Sequence, residues 1–293
     1  MKLSLRFGMT VVAMAVVAAT LSATDQDVVR GSFTRTLTVS GAVDLDVSTG
    51  SGDISVRPGE SGKVVIRAKI QGHYNWKDGG SDLESRVRAI EAHPPVEQDG
   101  NHIRVGHLEQ PELRRNISID YDMEVPVETS LNAQSGSGDL SVEGTHGSLE
   151  AHSGSGDVKV HDVKGSVRIH TGSGDAKFEG ITGERVEIET GSGDVQLRDL
   201  RAALHVRTGS GEIDAEGAPT GDWVLHTGSG GVTVKVPDGV GFELDAHTNS
   251  GDISTGLPVE AQGTMGHGEL HGKVRGGGVR LEMTTGSGDI NIQ

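Results

Sequence analysis

Two rows of residues with metal-ligating chemistry recur along this chain at a nearly fixed interval. The first is acidic: Asp139, Asp157, Asp175, Asp194 and then Glu212, separated by 18, 18, 19 and 18 residues. If each interval is one turn of a stacked fold, these carboxylates form a ladder, and hard cations such as calcium favour rows of carboxylate and carbonyl oxygens. Calcium-binding nonapeptide repeats, however, carry G-G-x-G-x-D about every nine residues, whereas here Asp directly follows Gly once per 18–19 residues and Gly231 interrupts the row. The competing use is local: an Asp at a tight corner hydrogen-bonds exposed turn amides. The spacing favours this turn-capping role, so no metal site is assigned.

The second row lies five residues before each acidic position: His152, His170, Glu189, Arg207, His226 and His247. Stacked imidazoles can hold zinc. But this position alternates with an apolar one at −6, which turns it towards solvent, and its occupants switch between base and acid. A solvated polar row is the expectation. The sequence contains no G-x-x-x-x-G-K-[ST], G-x-G-x-x-G or H-E-x-x-H pattern, and with no cysteine it has neither thiol catalysis nor disulfides. Paired carboxylates could serve glycoside cleavage, but acidic residues are too numerous to single out a pair. No catalytic residue and no cofactor is assigned. Among Tyr74, Trp76, Tyr121 and Trp223, the pair Tyr74 and Trp76 in the loop-like GHYNWKDGG is the best exposed contact candidate; Trp223 falls on an apolar core position.

These residues are positioned by a signature that recurs nine times: TGSGDI (49–54), SGSGDL (135–140), SGSGDV (153–158), TGSGDA (171–176), TGSGDV (190–195), TGSGEI (208–213), TGSGGV (227–232), TNSGDI (248–253) and TGSGDI (285–290). With its acidic residue as position zero, positions −8 and −6 are apolar (Val167/Ile169, Val186/Ile188, Leu204/Val206), as is +1 (Ile54, Val158, Ile213), and +3 mostly so. Period-two alternation on both sides of a glycine-rich corner means two half-buried strands joined by a turn. A hairpin of 18 residues cannot bury its apolar face alone, and stacked coils about 4.8 Å apart can. The fold class is therefore all-β, a β-solenoid with one GSGD corner per coil of 18–19 residues; a β-sandwich would leave the constant register unexplained. The final step of 37 residues, Asp252 to Asp289, fits two coils of which one has lost its signature.

Around the repeats the chain divides into four parts. Residues 1–23 read as a signal peptide: Lys2 and Arg6 precede an uncharged run from Phe7 to Ala23. An uncleaved leader would instead act as a membrane anchor. Residues 24–61 hold the first strands and first repeat, 62–128 an elaborated covering region, and 129–293 the solenoid. Within 62–128, Ser81 to Ala92 reads as a short helix with Ser81 as N-cap and Pro94-Pro95 as its stop. The aromatic content is only 3%, so the core rests on Val, Ile, Leu and Ala. Without the leader the charge is 24 − 42 = −18, which disfavours nucleic acid as a partner. Ile290 and Ile292 of the last signature are expected on an open end, a contact surface for a second copy or another exported protein.

NISIDYDMEVP (116–126), followed by the signatures at 135–140, 153–158, 171–176 and 190–195, resembles a bacterial exported β-strand-repeat family labelled "putative adhesin", a domain of unknown function. The resemblance spans roughly 30–293 and implies an exported β-helix-like protein without an agreed activity; the expected location is periplasmic, at the cell surface or secreted. The functional expectation is a non-enzymatic structural or adhesion-like protein whose partner is an unidentified protein or surface glycan. A polysaccharide-acting hydrolase or lyase on a β-helix, or a calcium-stabilised scaffold, are the alternatives.

Overall fold

Alternating apolar residues on either side of each corner produce two long sheets that face one another across a single core. The computed structural model describes residues 28–74, 82–108, 110–261, 266 and 268–293. The first part comprises β1 (Val28–Thr38), β2 (Val43–Thr49), β3 (Ile54–Pro58), β4 (Lys63–His73), α1 (Leu83–Ala92), β5 (Val96–Asp99), β6 (His102–Val105), α2 (Pro111–Arg114) and β7 (Ile117–Val125). The middle comprises β8 (Thr129–Ser135), β9 (Leu140–Glu143), β10 (Leu149–Ser153), β11 (Val158–His161), β12 (Val167–Ser173), β13 (Ala176–Glu179), β14 (Thr182–Ser192), β15 (Val195–Ser210) and β16 (Ile213–Gly217). The last part comprises β17 (Trp223–Ser229), β18 (Val232–Lys235), β19 (Phe242–Thr248), β20 (Ile253–Thr255), β21 (Val259–Ala261), β22 (Glu269–Val274), β23 (Val279–Ser287) and β24 (Ile290–Ile292).

Strands that precede a corner pair in parallel with their counterparts and form the upstream sheet; strands that follow a corner form the downstream sheet. The apolar rows stay in register along the upstream sheet, where Leu131, Leu149, Val167, Val186, Leu204 and Trp223 are successive partners; the register shifts lie outside these rows, between Thr182 and Arg185 in β14 and between Leu197 and Leu200 in β15. In the downstream sheet Leu140, Val158, Ala176, Val195, Ile213 and Val232 do the same. All twelve are buried. A one-residue slip would turn a whole apolar row to water, so burial itself fixes the register. Trp223, the largest fully buried side chain, donates its indole N–H to the Ala202 carbonyl at 2.9 Å.

Coil order in space departs from chain order at both ends. The first coil (β2, β3) pairs with β8 and β9 on one side and with β6 and β7 on the other. Residues His102–Val125, within the stretch read as a cover, thus supply a further coil that lacks the signature. Outside it lie β4 and β1, antiparallel in the downstream sheet, and β5, antiparallel in the upstream sheet. Helix α1 buries Leu83, Val87 and Ile90 against β1 and β4. Its N-cap is Asp82, without a capping side-chain hydrogen bond, and not the expected Ser81, which lies outside the described residues.

The other end repeats this arrangement. β23 inserts between β17 and β19, and β24 between β18 and β20. The 37-residue step is therefore not a coil with a lost signature. After β20 the described residues form β21 and then β22, which runs antiparallel to both β21 and β19, and residues 275–278 pass over to the opposite side of β19 to begin β23. Ile290 and Ile292 are each 0% exposed, which corrects the expectation that they form an open end.

Candidate interaction surface

The corner is held by side chains that reach from one coil to its neighbour. The backbone N–H of Asp157 donates to Asp139 Oδ1 at 2.9 Å, that of Asp175 to Asp157 Oδ1 at 3.0 Å, that of Asp194 to Asp175 Oδ1 at 3.1 Å, and that of Glu212 to Asp194 Oδ1 at 2.8 Å. The row continues towards both ends: Asp252 N–H donates to Asp289 Oδ1, and Asp53 N–H donates to Asp120 Oδ1, a residue outside the signatures. Each is a charge-assisted hydrogen bond of the stronger class. The acidic ladder thus works as a staple between coils, and among the described residues no three His, Asp or Glu side chains are grouped to hold a metal ion.

A second staple runs inside the first. The Ser/Thr at −4 is buried in most coils and donates to the glycine carbonyl of the neighbouring coil: Ser135 Oγ to Gly52, Thr227 Oγ1 to Gly211, Thr285 Oγ1 to Gly230 and Thr248 Oγ1 to Gly288, all at 2.9–3.0 Å. Close packing here demands glycine. A Cβ on Gly138 would stand 2.0 Å from the Gly52 carbonyl oxygen. What remains on the outside of each corner is the serine at −2, exposed in all nine copies.

The two outer faces carry polar rows in the same strict register. On the upstream sheet, positions −7 and −5 project outwards. His152 and His170 are cross-strand neighbours with ring centroids 6.0 Å apart, and His170 Nδ1 lies 3.4 Å from Glu189. Acid–base contacts run along these rows: Arg168 pairs with Glu187 at 3.3 Å and Arg280 with Asp245 at 2.6 Å, while His102 lies 2.9 Å from Asp44 and His271 2.9 Å from Asp245. On the downstream sheet Glu124 accepts from both Arg57 and Arg67 at 2.8 and 3.0 Å, which holds its carboxyl below the usual range. These half-exposed pairs contribute little stability individually. Collectively they make two flat, salt-sensitive surfaces.

The expected contact residues scatter. Tyr74 is 43% exposed, the one exposed large hydrophobic side chain among the described residues, while Trp76 lies outside them. Tyr121 is not exposed: it occupies the +1 row beside Ile54, 2% accessible, and burial raises its phenol pKa. A feature the sequence did not reveal is a shallow basin of about 300 Å³ lined by Glu243, Leu244, Asp245, His271, Gly272, Lys273 and Arg280. It exists because β22 returns antiparallel beside β19, which no local pattern announces.

The sequence model of the family described as Toastrack DUF4097 matches residues 94–293. The chain matches no curated protein. Among solved structures, a "putative adhesin" from Parabacteroides distasonis is 10% identical, with a TM-score of 0.42, covering 89% of this chain and 97% of its own. A "putative adhesin" from Bacteroides fragilis is 13% identical, with a TM-score of 0.38 and coverages of 90% and 97%. A "putative cell adhesion protein" from Clostridium sporogenes is 14% identical, with a TM-score of 0.32 and coverages of 90% and 98%.

Proposed function

This chain belongs to the Toastrack DUF4097 family, and from that premise we propose that it is an exported, non-enzymatic structural protein whose outer sheet faces bind a protein or glycan at the cell surface. The observation that supports this reading most is the division of labour at the corner. In most coils the Asp at zero accepts an amide of the adjacent coil through Oδ1, and the Ser/Thr at −4 donates to a glycine carbonyl there; Thr190, whose buried hydroxyl has no partner, is the exception. The variable residues, at −7 and −5 and on the downstream face, point outwards on a rigid lattice. Side chains spaced by one strand, about 4.8 Å, suit a partner that is itself extended, and alternating charges give such contacts specificity more than affinity. The repeated coil with one GSGD corner is, in this reading, the unit by which the platform is lengthened.

The test is capture from the native cell surface with the protein lacking residues 1–23. A specific partner is expected, released by about 0.5 M salt because surface charges are screened. In parallel, release of reducing ends from a panel of surface polysaccharides would overturn the non-enzymatic reading in favour of a hydrolase or lyase. Fractionation of the native cells tests export: recovery in the cytoplasm would refute it.

A further inference from the structure

The inserted coil β23–β24 is joined to β22 by a short arc with unusual properties. Residues Arg275, Gly276 and Gly277 have φ of 50°, 86° and 86°, three consecutive left-handed residues of which one carries a side chain. An L-residue is disfavoured there, and three adjacent glycines, Gly276–Gly278, restrict the backbone least of any sequence. The arc must also carry the chain across the whole width of β19. Phe242 is the partner of Val274 on one side and of Val279 on the other, a separation of roughly 10 Å, two strand spacings. It does so around Gly241, where an added Cβ would meet the Gly277 and Arg275 carbonyl oxygens at 2.5 and 2.6 Å.

One side chain fastens this arc. Arg275 Nη1 donates to the carbonyls of Pro237 and Val240 at 3.1 and 3.2 Å, and Nη2 to Asp238 Oδ1 at 3.0 Å. Pro237–Val240 belongs to the connection from β18 to β19, which strides over the inserted coil. That connection explains why the step from Gly231 to Asp252 is 21 residues where its neighbours are 18 or 19. Arg275 therefore ties together the two connections that would both have to move for β23–β24 to come out.

Outside the arc, the coil's contacts among the described residues, including Arg280 N–H to Asp222 Oδ1 and Arg280 Nη2 to Asp245 Oδ2, are ones that a second copy would offer equally. Its pairing with β17, β18, β19 and β20 is the general repeat register: Leu281 against Trp223 and Leu244, Ile290 against Val232 and Ile253. A second copy offers the same partners at the same spacing. We propose that residues 279–293 are an exchangeable element, which leaves its slot and fills the same slot in a second copy. Arg275–Gly278 is the hinge and the Arg275 guanidinium the latch. Exchange keeps every buried contact and releases the left-handed backbone, so concentration and the latch set the balance between closed monomer and reciprocally exchanged dimer.

The test uses the absence of native cysteine. His226→Cys and Thr284→Cys place thiols on directly paired residues of β17 and β23, on the outward −5 row, for bridging by a short bis-maleimide. The protein is incubated at high concentration in mild denaturant, returned to buffer and separated by size. We expect a dimer fraction whose bridges join two chains on a denaturing gel, while the monomer fraction is bridged within one chain. Arg275→Ala in the same background should raise the dimer fraction several-fold. A preparation that stays monomeric at every concentration, or dimers whose bridges remain within one chain, overturns the proposal. So does a folded Arg275→Ala protein with an unchanged dimer fraction. The parent pair alone decides the matter if Arg275→Ala does not fold.

Discussion

The two ends of the solenoid solve one problem with different amounts of material. At each, a signature-bearing coil is tucked one place inwards: β2–β3 lies inside β6–β7, and β23–β24 lies inside β19–β20. The covers differ. At the β1 end, Phe33, Val64, Ile66, Ala68 and Ile70 are buried beneath a helix that adds Leu83, Val87 and Ile90. Glu91 also accepts the Ser32 amide at 2.7 Å, blunting the edge of β1. At the opposite end the downstream sheet stops at the three residues of β20, and Ile253, Leu257, Val259 and Leu270 are only partly buried. Open strand edges are hazards that proteins cover or shorten; this chain covers one end and shortens the other. Local stability should therefore be unequal, with the β20 end opening first.

The largest effect should come from the tucked coils, where the ends are alike. Ile54→Asp and Ile290→Asp each place a charge at a site no more than 1% exposed, at a cost of several kcal/mol. Denaturant melts should show loss of cooperative folding in both. A mild effect at Ile290 alone would mean that its coil is not inserted as described. The covers should separate the ends. Ile90→Ala removes a fully buried side chain and should cost about 2–5 kcal/mol, whereas Leu270→Ala, partly exposed, should cost about 1 kcal/mol. Hydrogen exchange gives the same contrast without mutation: amides of β20 and β21 should exchange well before those of β4 and β7.

The comparison sharpens at the one break in the acidic staple. Gly231 leaves the stack between Glu212 and Asp289 without a carboxylate, and a Cβ there would meet only the Asp289 carbonyl oxygen, at 3.4 Å. Gly231→Asp should restore a bond to the neighbouring amide and stabilise by about 0.5–1.5 kcal/mol, read as a raised melting temperature. A lowered one would show that the gap relieves crowding. The smallest effect belongs to the outward rows. His170→Ala should change stability by less than about 0.5 kcal/mol, yet diminish capture of the surface partner. Equal damage from His170→Ala and Ile188→Asp would refute the assignment of inward and outward positions.

Much of the coil was legible because its determinants are local. Val186 and Ile188 alternate with outward Glu187 and Glu189, and a period of two cannot be satisfied by a helix. The role of Asp as a hydrogen-bonding corner residue followed from its place after glycine, although its acceptor role towards the next coil's amide, as between Asp139 and Asp157, needed the stack. Asp120 carries no such local mark. It accepts the Asp53 amide from a strand with no glycine corner, so no motif marked it as the same position.

By itself the sequence determined the all-β class and the inward and outward faces of the strands around each corner, since burial of −8, −6, +1 and +3 admits one register. Only the tertiary structure decided the order of the coils. Parallel strands with identical register are interchangeable as neighbours: Trp223 pairs as well with Leu281 as it would with Leu244, and no local pattern distinguishes them. What selects the order is closure at the ends. Solvent penalises an exposed apolar row, and whichever segment covers the last coil, β22 at one end and β4 with α1 at the other, forces the terminal repeat one place inwards.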